Sequence, residues 1–175
     1  MIDTILVATD GSEQATKAVD LAGDLAAKYG ARVELVHVLL PAHGEALARL
    51  ARSEALVEAG EVRQARPPGA SIEDRSSEDE GAGDGDEYPY RVRQAVAERV
   101  LAAAELALRE QGVREIVTAV LEGDPSRAIL DRAHEVGADM IVLGSRGLSD
   151  LKGLVTGSVS HKVASLSPCT CVTVT

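Results

Sequence analysis

Apolar residues in this chain fall into short runs, and between the runs they recur at every third or fourth position. Ile5-Leu6-Val7-Ala8 is apolar on both faces, which predicts a buried strand. Ala15, Ala18, Val19, Ala22, Leu25, Ala26 and Tyr29 then follow helical spacing, with Ser12 placed to cap the start and Gly30 to end it. Val33 to Leu40 reads as a second strand stopped by Pro41. A helix is expected from Arg91 to about Gln111, with Val92, Val96, Val100, Ala103 and Ala107 on one side and Gly112 behind it. Ile116 to Leu121 gives a third strand. Asp124-Pro125 sets a cap and a first-turn proline before a helix lined by Ile129, Ala133 and Val136 and closed by Gly137. A fourth strand over 139–143, a helix from Ser158 to about Ser165 and a fifth strand at Cys171-Val172-Thr173-Val174 complete the chain.

Strands that alternate with helices and are apolar on both faces define an α/β protein. They predict an open five-stranded parallel sheet with helices on both faces. At 175 residues the chain is long enough to bury a core and is expected to form a single domain over 1–175. It holds three Tyr and no Phe or Trp, so that core must be built from Val, Leu, Ile and Ala.

Residues 41–90 break the rhythm. Gly44 to about Ala59 is helix-prone, and Arg66-Pro67-Pro68-Gly69 ends it. The acidic stretch that follows holds Glu73, Asp74, Glu78, Asp79, Glu80, Asp84, Asp86 and Glu87 against Arg75 alone. Low hydrophobicity with like charge predicts a disordered or solvated insertion, either simply solvating or able to meet a basic partner. The helix-prone part could also form a lid over a site at that end of the sheet. The insertion carries −7 of the net −10, so the remainder is near neutral. No basic patch suggests nucleic acid, and the overall sign opposes it. Without a signal peptide or an apolar run near the ~20 residues a membrane span needs, the chain is expected to be cytoplasmic, with no membrane partner. Cys169 and Cys171 read as small residues near a terminal strand, since no second Cys/His cluster accompanies them.

The chemistry concentrates in Gly144-Ser145-Arg146-Gly147, nine residues, then Gly157-Ser158. This stretch lies between an apolar strand and a helix start. Glycines let backbone N–H groups approach an anion there, and the helix terminus adds unpaired donors and partial positive charge. Ser158 could serve as the N-cap of that helix as well as a phosphate contact. Arg146 and Lys152 could pair with a phosphate or be solvated. Asp150 would repel phosphate unless it helped hold Mg²⁺. His37 reads as a packed core or crevice-wall residue, His161 as a further candidate on the phosphate side, and His43 and His134 as surface.

Several segments together carry a resemblance. They are Ile5 to Ser12, Val36-His37-Val38, Gly123-Asp124-Pro125, Ala138 to Gly147, and the G-x2-G-x9-G-[S/T] loop ending at Gly157-Ser158. In these the chain resembles the ATP-binding universal stress proteins over its whole length except 41–90. The resemblance implies a Rossmann-like, adenine nucleotide alpha hydrolase-like fold with strand order 3-2-1-4-5. Its topological switch then falls between strands one and four, where ligands bind.

The resemblance further implies a nucleotide site. Asp10 would sit by the ribose and phosphates, directly or as a Mg²⁺ ligand. The Val38 backbone would meet the adenine edge. Gly144 and Gly147 would wrap the phosphates, and Gly157, Ser158 and Val159 would offer N–H groups. Ala8, Thr9, Leu143 and Arg146 would complete it. The ligand would be ATP, with ADP or AMP as alternatives and Mg²⁺ as a companion. Family members dimerise through the last strand, so a two-fold homodimer is expected through about 170–175. A nucleotide-responsive regulator acting on a protein partner is the leading reading. A slow ATPase or phosphotransferase, an ATP-independent interaction module, and a flavin protein compete with it. The enzyme reading lacks a P-loop, a kinase motif set and a second acid near Asp10, so hydrolysis would be slow at most. Missing Trp and Phe weigh against flavin.

Overall fold

The computed structural model describes residues 1–39, 90–147 and 157–175. The expectations for 41–89, and for His43, Asp150 and Lys152, lie outside the described residues.

The elements run β1 (Thr4–Ala8), α1 (Glu13–Tyr29), β2 (Arg32–Val38), α2 (Tyr90–Glu110), β3 (Ile116–Leu121), α3 (Pro125–Val136), β4 (Met140–Gly144), α4 (Ser158–Leu166) and β5 (Thr170–Val174). All strand pairs are parallel, and the sheet order is β3-β2-β1-β4-β5, as the resemblance implied. Leu6 sits opposite Glu34 on one side and Ile141 on the other.

Two apolar layers flank the sheet. One gathers Ile5, Val7, Val19, Leu35, Leu108 and Val142 under α1 and α2. The other gathers Leu6, Val36, Ile129, Ile141, Leu143 and Val163 under α3 and α4. Branched aliphatics fill both. Each such side chain, removed from water, contributes about 1.5–3 kcal/mol of burial free energy. Val172 and Val174 join the first layer and Cys171 the second, the strict alternation a strand requires. Both thiols are free and half-buried. Burial, helped by the neighbouring Cys169, pushes the Cys171 thiol up from its ordinary value.

Three details differ from the sequence pattern. The buried stripe of α2 is Val96, Ala97, Leu101 and Leu108, while Ala103 faces solvent. Alanine on every side of that helix left the apolar stripe poorly defined. β2 ends at Val38, so Leu39 lies beyond the strand, while Leu40 lies outside the described residues. β4 begins after Asp139, whose carboxylate accepts from Asp3 N at 2.8 Å and Thr4 N at 3.0 Å. Those two bonds hold the Asp139 carboxyl below the usual carboxylate range.

One feature was not legible in the pattern. Glu34 faces the α3 layer at 1% exposure. Arg132 of α3 donates to it from Nε at 2.8 Å and also from Nη2, and donates from Nη1 to Glu135 at 2.9 Å. A buried charge persists only when paired in this way. No helix among the described residues is long and apolar enough to cross a membrane.

Candidate functional site

The sheet order reverses between β1 and β4, so the loops leaving their C-terminal ends diverge and open a crevice. Its empty volume is about 780 Å³, open mouth included. Ala8, Thr9, Asp10, Val38, Leu143, Gly144, Arg146, Gly147, Gly157, Ser158 and Val159, separated by up to 151 positions in sequence, all line it. The fold brings the eleven residues expected at the nucleotide site to one crevice.

The β1 loop is shaped by short-range bonds. Thr9 N donates to Val36 O at 2.9 Å, continuing the β1–β2 ladder one step beyond the strand. Asp10 Oδ1 then accepts from Ser12 N at 3.0 Å, closing an Asx turn. Gly11 occupies φ 79°, where a side chain would be strained. Ser12 caps α1, with its Oγ accepting from Ala15 N at 3.3 Å.

The β4 loop depends on missing side chains. A Cβ on Gly144 would lie 2.9 Å from the α1 backbone at Ala15 N, so glycine lets β4 run beneath the first turn of that helix. A Cβ on Gly147 would lie 2.4 Å from Asp10 Oδ2, so the two loops touch across the switch point.

Gly157, not Ser158, is the N-cap of α4, and no side chain caps that end. Ser158 is therefore the first helical residue, which removes the N-cap reading of its hydroxyl. The α4 terminus is held from behind. Gly157 N donates to Ser145 O at 2.7 Å, and the Ser160 hydroxyl lies 2.8 Å from Ser145 O and 3.0 Å from Gly157 O. Ser145 N in turn donates to Val174 O at 2.6 Å. Gly157 N is thereby taken by Ser145 O, against the expectation that it would offer its N–H to a phosphate, and the first turn of α4 lines the crevice through Ser158 and Val159.

Sequence reasoning missed several lining residues: Ala15, Val36, Pro125, Ile129 and Ser160. Pro125 and Ile129 stand one turn apart on α3 and form an apolar wall. The signal for them was the Asp124-Pro125 helix start, since a helix beginning beside a strand end must present its first turns to the switch region. Asp124 caps it through Arg127 N at 3.0 Å, and the Ser126 hydroxyl donates to the same carboxylate at 2.5 Å. These bonds, that of Ser126 foremost, hold the Asp124 carboxyl below its usual range. For Ser160 the only signal was a polar residue three places after a glycine.

Among the histidines, His134 is exposed as expected. His161 is also exposed and is not among the described residues that line the crevice; its Nδ1 lies 3.2 Å from Ser165 Oγ. His37 is 3% exposed, behind the crevice floor, with Nδ1 2.9 Å from Thr9 O. Burial lowers its pKa from 6.5, opposed by the Thr9 bond and by the Asp10 charge. A base whose folded pKa is depressed contributes stability that is full above about pH 6.5 and lost as pH falls through the folded value. Urea denaturation from pH 7.5 to 5 should show that loss, and His37→Asn should flatten it. Asp124 and Asp139, also depressed, act only below their ordinary 3.8. An unchanged slope in His37→Asn would refute this assignment.

Chemically, the crevice joins an apolar slot lined by Val36, Val38 and Ile129 to the glycine-bearing turns at Gly144, Gly147 and Gly157. Among its described lining residues Asp10 is the one carboxylate. The described residues contain no group of three or more His, Cys, Asp or Glu able to hold a metal by themselves. Mg²⁺ needs no such cage, since it binds through one or two carboxylates plus ligand phosphates and keeps its waters. Asp10 fits that donor set, and a bound Mg²⁺ would screen phosphate charge beside it.

Fold and site define a doubly wound α/β protein with a glycine-lined crevice at its switch point. The chain belongs to the universal stress protein family, whose model matches residues 1–175. It is 32% identical over 172 residues to universal stress protein YxiE of Bacillus subtilis (strain 168), covering 97% of this chain and 96% of that protein. Among solved structures it is similar to a universal stress protein in complex with cAMP, with TM-score 0.59, 24% identity, and coverage of 99% and 96%. It is also similar to the universal stress protein from Archaeoglobus fulgidus in complex with dAMP, with TM-score 0.59, 21% identity, and all of both chains covered.

Proposed function

We propose that the crevice binds an adenine nucleotide, ATP in the first place with ADP or AMP as alternatives, and that occupancy makes the protein a nucleotide-responsive regulator of a protein partner. The observation that carries this is the α4 terminus. It opens on the crevice without a side-chain cap, beside Gly144 and Gly147 and opposite the apolar slot. A flat base in the slot and phosphates at the helix end would satisfy both halves. The fold shared with one protein solved with cAMP and another with dAMP supports an adenine ligand. Asp10 would hold Mg²⁺ with the phosphates. A binding role is favoured over rapid turnover because the described crevice carries one acid and no positioned base. Isothermal titration of ATP, ADP and AMP, with and without Mg²⁺, is the test. Saturable binding at micromolar concentrations is expected, and an absence of heat and of thermal stabilisation by all three would reject the reading.

We also propose a homodimer through β5. In a parallel ladder the N–H and C=O of one residue face the same neighbour. The Val174 carbonyl is bonded by Ser145 N on the β4 side, so the Thr173 main chain faces outward at the sheet edge. An edge of this kind pairs with another chain. Deleting β5 would also strip Val172 and Val174 from the core. Thr173→Pro removes only an outward donor and should convert a dimer into a folded monomer by light scattering. A variant that kept the dimer mass would exclude this interface.

A further inference from the structure

We propose that His37 is a positioning residue that ends the β1–β2 ladder at Thr9 and thereby leaves the Val38 main chain to the ligand. The inference rests on the nucleotide reading and adds a device to it.

The register pairs Ala8 with Val36. In a parallel ladder of that register, the Val36 carbonyl receives Thr9 N, and this bond is present at 2.9 Å. The next rung would be Val38 N–H donating to the Thr9 carbonyl. That carbonyl instead meets His37 Nδ1 at 2.9 Å, and no Val38-to-Thr9 bond accompanies it among the described residues. A carbonyl only accepts, so Nδ1 carries the proton. The other side of β2 is occupied by different residues. Leu39 N donates to Leu121 O at 2.8 Å and Val33 N to Glu115 O at 2.9 Å, so odd positions face β3 and even positions face β1. The Val38 N–H and carbonyl are therefore turned toward the β1 side at a height where β1 has ended and the chain has swung into the Asp10 turn. Val38 lines the crevice there. An amide N–H beside a carbonyl two atoms on is complementary to the donor–acceptor edge of a purine base.

A histidine is suited to this task. Its Nδ1 stands two bonds from Cβ and reaches the strand end, and strand alternation puts the buried ring on the face of Val33 and Leu35, opposite Val36 and Val38. An apolar residue at 37 would release the Thr9 carbonyl, Val38 N–H would capture it, and the ladder would extend into the base slot.

The experiment compares wild type, His37→Asn and His37→Leu by amide hydrogen exchange and by titration with ATP. Asn places an N–H where His37 Nδ1 stands, and Leu does not. In wild type, the Val38 amide should exchange at least about 10-fold faster than Val36, because Val36 is inside the ladder. His37→Leu should slow Val38 exchange and weaken ATP about 10-fold or more, and His37→Asn should restore both. A wild-type Val38 amide as protected as Val36 overturns the proposal without any variant. So does a folded Leu variant with unchanged exchange and affinity, or an Asn variant indistinguishable from Leu. If no form bound ATP but the exchange pattern held, the nucleotide reading would fall while the role of His37 stood.

Discussion

Gly157→Val should weaken ATP binding at least about 100-fold, a loss of about 2.7 kcal/mol, while leaving a folded protein. A Cβ at position 157 would stand 3.2 Å from Ser145 O and 3.5 Å from both Arg146 Cα and Ser160 Oγ. Those contacts are tight but tolerable. Valine adds two branched methyls to a residue that lines the crevice, beside the main-chain groups that an anion would need to reach. The backbone is not strained, since Gly157 sits at φ −69°. The fold itself should lose only about 1 kcal/mol, the difference between a good and a poor N-cap. Gly144→Ala would be a poorer test. Its Cβ would press the α1 backbone at 2.9 Å, an overpacking that costs about 1–3 kcal/mol and confounds affinity with folding. Calorimetric titration of Gly157→Val beside wild type, with melting curves for both, decides the matter. An affinity within a few-fold of wild type would mean that phosphates do not sit at the α4 terminus.

Arg132→Met should destabilise the protein by about 3 kcal/mol, because it leaves the Glu34 carboxylate in an apolar layer without its cation. Glu34 is 1% exposed and its guanidinium partner comes from α3. For a chain of this size the loss corresponds to a fall in Tm of roughly 6–12 °C. Glu34→Gln combined with Arg132→Met removes the stranded charge and should recover most of it. Urea denaturation of the two singles and the double measures the coupling between them. A single-mutant loss under about 1 kcal/mol, or a double mutant no better than Arg132→Met, would show that water reaches the carboxylate. The same variant should weaken nucleotide binding only modestly, because Pro125 and Ile129 sit on the α3 face whose seating the ion pair secures.

The contrast between these two residues explains what the sequence could reveal. Gly157 was visible because its function is local: a glycine, a strand before it and a helix after it are neighbours in the chain. The strand at Cys171-Val172-Thr173-Val174 was visible for the same reason, being one short run within the chain. The Glu34–Arg132 pair joins residues 98 positions apart, and a lone acid inside an apolar run gives no hint of its partner. The strand order likewise came from resemblance, since periodicity locates strands but does not order them. On α2, where alanines surround the helix, periodicity chose Ala103, yet packing buried Ala97 and Leu101. Pro125 and Ile129 escaped notice because a crevice wall requires the third dimension. His37 was recognised as packed, but the carbonyl that its ring takes becomes apparent only when the β1–β2 register is known.

The Ser145 carbonyl, which receives both Gly157 N and Ser160 Oγ, also bears on what length of chain the fold tolerates after Gly147. It fastens the two ends of the glycine-rich segment to each other, independently of what lies between Gly147 and Gly157. Closing a longer segment between fixed ends raises the entropic cost slowly, by about 0.6 kcal/mol for each doubling of length. A change of length between Gly147 and Gly157 should therefore cost the fold little, with the Ser145 carbonyl still joining the strand end to the helix start.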